Sequence, residues 1–313
     1  MPPPKFGRFF ANKRLRKLLT IRATLGPLDS LMSNVASAVD TPNFEFGKNW
    51  QSFLAKCYSP ERLEVSKRCL AAFLDPSDLH GKTFIDVGCG SGLSSLAAYD
   101  LGVRELVSFD LDPHSVDATL SLRKLRDDPA HWTVLRGSAL DEAFLKSLGQ
   151  WDIVYSWGVL HHTGQMWNAV RNARTLLKPD GLFFIALYTT SPLSEYWIRT
   201  KKAYNRGGSL RKRLMEARYV WRQLVAPNLA MPWRIASAVK DYKKSRGMEF
   251  MTDVRDWLGG WPYEDARIEE VWRFGVRDLG LTLVNLKTGE ACTEYLFAGP
   301  AGTDRSRFSA GER

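Results

Sequence analysis

The chain has 313 residues, 44% of them hydrophobic, enough to bury one large core or two smaller ones. Its four cysteines, Cys57, Cys69, Cys89 and Cys292, include no C-x-x-C pair, which argues against a zinc ribbon or a disulfide framework and for reduced thiols. The formal net charge of +10 divides into +6 over residues 1–30, +11 over residues 199–250 and −7 over the rest, so an acidic body carries two basic appendages.

Residues 1–45 read as a loosely attached basic arm. Arg22, Pro27 and Asp29 interrupt any signal-peptide core within it, and no later apolar run approaches the roughly 20 residues that cross a bilayer. A cytoplasmic protein is expected, peripheral at a membrane surface if the basic segments dock there. Ser59 to Leu74 reads as a helix. From Thr83 onward short apolar runs alternate with amphipathic ones: TFIDV, SGLSSLAAYDLG, ELVSFD, PHSVDATLSLRKLR, WTVLRG, WDIVYS, a helix over Gln165 to Leu177, and GLFFIALY. This rhythm predicts a doubly wound α/β sheet with helices on both faces, and KPDG, residues 178–181, predicts a turn before the fifth strand. After Tyr188 the pattern breaks into helical pieces punctuated by Gly207-Gly208, Pro227 and Pro232. It resumes with a helix from about Ala266 to Leu279 and the strands LTLVNLKT and CTEYLFAG. The expected organisation is a body over 46–190 and 256–300, a basic helical insertion over 191–255, and a disordered tail over 301–313.

FIDVGCGSG sets Gly88, Gly90 and Gly92 at the end of the first strand and the start of a helix, where the backbone can turn tightly against a ligand. Asp110 ends the second strand 20 residues beyond Gly90, at the place of a ribose-binding acid. A nicotinamide enzyme is one reading. Against it, the glycines run G-x-G-x-G rather than G-x-G-x-x-G, and Asp86 before the loop disfavours pyrophosphate but suits a ligand with a positive amino group. A nucleoside carrying an amino-acid tail satisfies both acids, Asp110 at the ribose and Asp86 at the amino-acid end through loop amides or water.

Asp86-Val87-Gly88-Cys89-Gly90-Ser91-Gly92, Asp110 in SFDLDP, Gly137-Ser138-Ala139-Leu140 and WDIVYSWGVLHH together resemble the class I S-adenosylmethionine-dependent methyltransferases. The resemblance implies a Rossmann-like seven-stranded sheet with an antiparallel last strand and S-adenosylmethionine as methyl donor. It implies a cofactor site of Asp86, Gly88, Cys89, Gly90, Gly92, Asp110, Leu111, Ser138, Ala139 and Trp157. In many members a segment before the first strand folds over the cofactor. Phe46 to Trp50 would be that segment, adding Trp50 to the site, unless Trp50 and Phe53 only pack a helix onto the core. FEFGKNWQSFL, YSWGVLHHTGQMWNA, DWLGGWPYEDA and CTEYLF resemble a bacterial subgroup whose acceptors the motifs do not define.

His161 and His162 follow the fourth strand, at the end of the sheet that faces a ligand in such folds, and either could be the base that deprotonates a hydroxyl acceptor. The bland reading is that they pack a turn. Adjacent histidines without an acidic cluster do not suggest a metal site. Tyr188, Asp256 and Glu264 are further polar candidates near the mouth. Cys89 should turn its thiol away from the ligand face of the loop. The expected acceptor is a small molecule or glycan methylated on oxygen, the alternatives being RNA and a cofactor-binding protein without transferase activity. The insertion mixes its basic residues with Tyr196, Trp197, Tyr204, Tyr219, Trp221, Trp233 and Tyr242, a composition that fits an anionic membrane, an acidic partner or nucleic acid, or else a solvated helical face over packed rings.

Overall fold

The computed structural model describes Phe44, residues 46–225, 250–289 and 291–301. The basic arm at 1–45 except Phe44, the insertion's Trp233 and Tyr242, and nearly all of the C-terminal tail lie outside the described residues. The described chain divides into two compact units, one formed by Tyr196–Trp261 with Phe44, the other by the remainder.

The larger unit is built on a seven-stranded sheet in the order β3-β2-β1-β4-β5-β7-β6. Its strands are β1 (Thr83–Val87), β2 (Glu105–Asp110), β3 (Trp132–Arg136), β4 (Trp151–Trp157), β5 (Leu177–Tyr188), β6 (Thr282–Thr288) and β7 (Cys292–Ala298). Strands β1 to β5 pair in parallel, and β7 runs antiparallel between β5 and β6. β1 is buried throughout because both sheet faces are covered: Ile85 and Val87 point into one apolar cluster and Phe84 into the other. The chain reverses winding direction between β1 and β4, which places a ligand-accepting crevice at their carboxyl ends.

The flanking helices are α1 (Phe46–Cys57), α2 (Pro60–Ala71), α3 (Pro76–Leu79), α4 (Leu93–Asp100), α5 (Pro113–Lys124), α6 (Glu142–Ser147) and α7 (Met166–Thr175). Helix α7 ends before the predicted Leu177 because Leu177 already pairs with Trp151. KPDG is therefore an excursion inside β5 rather than a turn before it, since pairing resumes at Ile153 with Leu182. Asp152 holds that excursion, accepting from Lys178 Nζ at 2.9 Å and from the Thr83 amide at 2.9 Å.

The smaller unit contains α8 from its third residue (Ser194–Asn205), α9 (Ser209–Val220), which continues into a π-helical turn at Trp221–Val225, and α10 (Phe250–Gly259). The sequence predicts a return to the body at residue 256; α10 runs through that position and the unit extends to Trp261. Its interior is aromatic and charged: Trp197 packs edge-on to Trp257, and the buried Lys201 donates its ammonium to the Trp257 carbonyl over the same indole. Beyond Trp261, α11 (Ile268–Arg273) widens into a π-helical turn at Phe274–Asp278, where Gly275 lets the Phe297 ring of β7 approach a backbone that a Cβ would meet at 2.6 Å.

Candidate active site

Among the described residues, the strand ends, the glycine loop and α1 that form the crevice belong to the larger unit. The Gly88 and Cys89 amides donate to the Phe109 carbonyl at 2.8 and 3.0 Å, tying the glycine loop to the end of β2. Gly88 has φ +78°, and a Cβ there would lie 2.3 Å from Val159, so both backbone and space demand glycine. At Gly90 a Cβ would first meet the indole edge of Trp50, at 3.3 Å. Gly92 starts α4 in the left-handed conformation.

The acids divide in their roles. Asp110 accepts from the Gly90 amide through Oδ2 at 3.0 Å and from the Asp112 amide through Oδ1 at 2.9 Å. Burial raises it to about 6, against the pull of those amides. Asp86 lies beneath the loop, 2% exposed, and its carboxylate accepts from Ser95 Oγ at 2.5 Å. Ser108 Oγ donates to Ser95, and Trp132 Nε1 to Ser108, extending the chain across the sheet. Burial pushes Asp86 up to about 7; the Ser95 bond opposes this and the Asp110 charge adds to it. The Cys89 thiol is buried, accepts from Thr119 Oγ1 and is held well above its ordinary range by burial.

The other residues expected at the cofactor lie as follows. Leu111, beyond β2, is 61% exposed. Ser138 accepts from the Leu140 amide, and the carbonyl of the buried Ala139 accepts from Asn172, while the Gly137 amide joins this turn to the Asp110 carbonyl at 3.0 Å. Trp157, the last residue of β4, is 48% exposed, and its indole N–H donates to Glu294 at 2.9 Å, two strands away across β5.

Asp112 is a residue that the sequence reading passed over. One oxygen caps α5 through the His114 amide, and the other accepts from the Gly47 amide at 2.8 Å, fastening the first turn of α1. The signal was present in DLDP, an N-cap acid followed by proline at the first helical position. Trp50 lies along the glycine loop, while Phe46 packs its ring 4.9 Å from that of His162.

The two histidines differ. His161 is fully buried, its Nδ1 accepts from the Tyr188 amide at 3.4 Å and its ring lies 3.9 Å from the Tyr188 ring. That acceptor role puts its ring proton on Nε2. His162 is partly buried, and its Nδ1 faces the Pro262 carbonyl at 2.5 Å. A carbonyl only accepts, so Nδ1 carries the proton and Nε2 is the basic nitrogen. Tyr188 is wedged between His161, the edge-on His162 ring and Tyr263. Glu264, bonded to the Met166 amide at 3.0 Å, is raised to about 7 by burial despite that bond. Asp256 belongs to the other unit.

A family model described as "Methyltransferase domain" matches residues 60–279. A ribosomal protein L11 methyltransferase of Colwellia psychrerythraea is 47% identical over 53 residues, 17% of this chain and 18% of that protein. The same enzyme of Actinobacillus pleuropneumoniae is 33% identical over 87 residues, 28% and 25% of the two chains. The chain thus spans at most about a quarter of these relatives' length. Among solved structures, an O-methyltransferase family protein from Burkholderia thailandensis is 16% identical with a TM-score of 0.47, covering 77% of this chain and 57% of that one. Magnesium protoporphyrin IX methyltransferase from Synechocystis PCC 6803, with bound S-adenosylhomocysteine, is 10% identical with a TM-score of 0.45, covering 94% and 96%.

Proposed function

The chain belongs to the class I S-adenosylmethionine-dependent methyltransferases, and from that premise we propose that it methylates an oxygen of a small-molecule or sugar-like acceptor, with His162 as the base. The residues present fit the cofactor. Gly90 offers a backbone face bordered by the Trp50 indole edge, Asp110 offers a carboxylate to hydroxyls, and Leu111 an exposed apolar side chain to a base. Asp110, Leu111, Ser138 and Ala139 would hold the nucleoside, and the Gly88–Gly92 loop with Trp50 the amino-acid end. Asp86 would act on that end from beneath, by shaping the loop through Ser95.

When bound, S-adenosylmethionine supplies a methyl group on a sulfonium whose departure as a thioether needs no acid. The chain's own tasks are then to position the acceptor, exclude water and take the acceptor's proton. The Pro262 carbonyl fixes the His162 tautomer that can receive that proton on Nε2, as an orienting group does for a catalytic imidazole. This contact is the observation that carries the assignment. His161, buried and bound to the Tyr188 backbone, positions the loop instead.

The test is turnover with a labelled cofactor against fractionated small molecules, glycans, RNA and lipids, repeated with His161→Ala and His162→Ala. His162→Ala should lose about two orders of magnitude in kcat on the small-molecule or glycan fraction with cofactor affinity unchanged. His161→Ala should lower stability, as removal of a buried packed side chain does. Full turnover in His162→Ala would remove it as the base, and methyl transfer confined to RNA would replace the acceptor class.

A further inference from the structure

The smaller unit carries a helix with leucines on its exposed face. On α9 the inward contacts are mixed: Glu216 accepts from Tyr204 Oη at 2.6 Å and pairs with Arg255, Lys212 lies over the Tyr204 ring, and Tyr219 meets the buried Trp197 edge-on. No residue of α9 is fully buried. Both of its leucines face the other way, Leu210 74% exposed and Leu214 61%, as does Trp221, 52% exposed one step past its end, while Met215, Tyr219 and Val220 are partly buried. Positions 210, 214, 217 and 221 fall on one line of a helix, so Ala217 completes a continuous apolar stripe. The exposed Arg211, Arg218 and Arg222 flank it on one side and Arg213 on the other. An apolar hollow of about 390 Å³ adjoins the stripe, lined in part by Val220, Val225 and Met251.

A helix that only covered a core would turn its leucines inward. From this geometry we infer that the exposed face of α9 docks on an anionic lipid surface, with Leu210, Leu214 and Trp221 entering the acyl boundary and the arginines meeting lipid phosphates. The charge pattern selects this occupant. A second copy of the same face would bring its arginines against these, and RNA would find one ring, Trp221, in a stripe otherwise unable to stack.

The experiment is co-sedimentation of the full chain with sucrose-loaded vesicles, either pure phosphatidylcholine or equal parts phosphatidylcholine and phosphatidylglycerol. The wild type should pellet with the mixed vesicles and not with phosphatidylcholine alone. Leu210→Glu with Leu214→Glu, on exposed positions that leave the Glu216 contacts intact, should lower partitioning roughly tenfold or more. Arg211→Ala with Arg218→Ala should lower it by several-fold, with the loss greatest at low salt. Pelleting of the leucine variant equal to the wild type would overturn the proposal. So would absence of binding to the mixed vesicles, including the case in which sedimentation velocity instead finds a dimer that the leucine substitutions dissolve.

Discussion

Asp86 sits at the end of β1 with almost no exposure and one close hydroxyl donor, so its ionisation is coupled to folding. A folded-state pKa of about 7 lies above the ordinary carboxylate value, so the folded protein holds a proton that the unfolded chain has released. The resulting stabilisation is complete below about pH 4 and is lost as pH rises through about 7, a swing of several kcal/mol at most. Asp110 and Glu264, raised to about 6 and about 7, act in the same direction. Between pH 5 and 8 the Tm without cofactor should therefore fall, and in Asp86→Asn it should fall less steeply. Scanning calorimetry across that range checks this; an equal slope in the variant, or a Tm that climbs with pH, would contradict the burial argument. The two histidines belong to the same scale. Their adjacency and their place after β4 are legible in SWGVLHHTG, but the distinction between them comes from Tyr188 and Pro262, partners 27 and 100 residues away.

At the scale of elements, α1 is fastened at both ends of its first turns: Gly47 to Asp112, Trp50 along the glycine loop, Phe46 against His162. Asp112→Ala removes both a helix cap and the acceptor for Gly47, so it should cost about 1 kcal/mol of stability and speed amide exchange within residues 46–57 at least several-fold. Hydrogen-exchange mass spectrometry reads this directly, and unchanged protection there would show that Asp112 does not hold α1. The strands β1, β2 and β4 were legible because buried parallel strands are short apolar runs between helices, and the half-exposed edge strand β3 because it falls in the same alternation. What escaped was irregular: the KPDG excursion inside β5 depends on Asp152 and Trp151 of the neighbouring strand, and the π-helical turn at Phe274–Asp278 accompanies the close fit of Gly275 on Phe297. Such features arise from cross-strand packing, which no local pattern encodes.

At the scale of the whole molecule, the glycine loop, Asp110 and the alternation of strands and helices over residues 83–188 pointed to the doubly wound core, and the helix and two strands over residues 266–298 completed the seven-stranded sheet. The insertion was legible only as a break in rhythm and a concentration of charge; that α9 turns leucines outward depends on where Glu216 finds its partners, Tyr204 and Arg255. The central claim is that the crevice at the ends of β1, β2 and β4 holds S-adenosylmethionine. It is tested most directly by isothermal titration calorimetry of the wild type and Asp110→Ala with S-adenosylmethionine and with NADH. The account predicts saturable one-site binding of S-adenosylmethionine, weakened by about one to two orders of magnitude in Asp110→Ala, and none of NADH. NADH binding without S-adenosylmethionine binding, or an affinity for S-adenosylmethionine untouched in a folded Asp110→Ala, would contradict it.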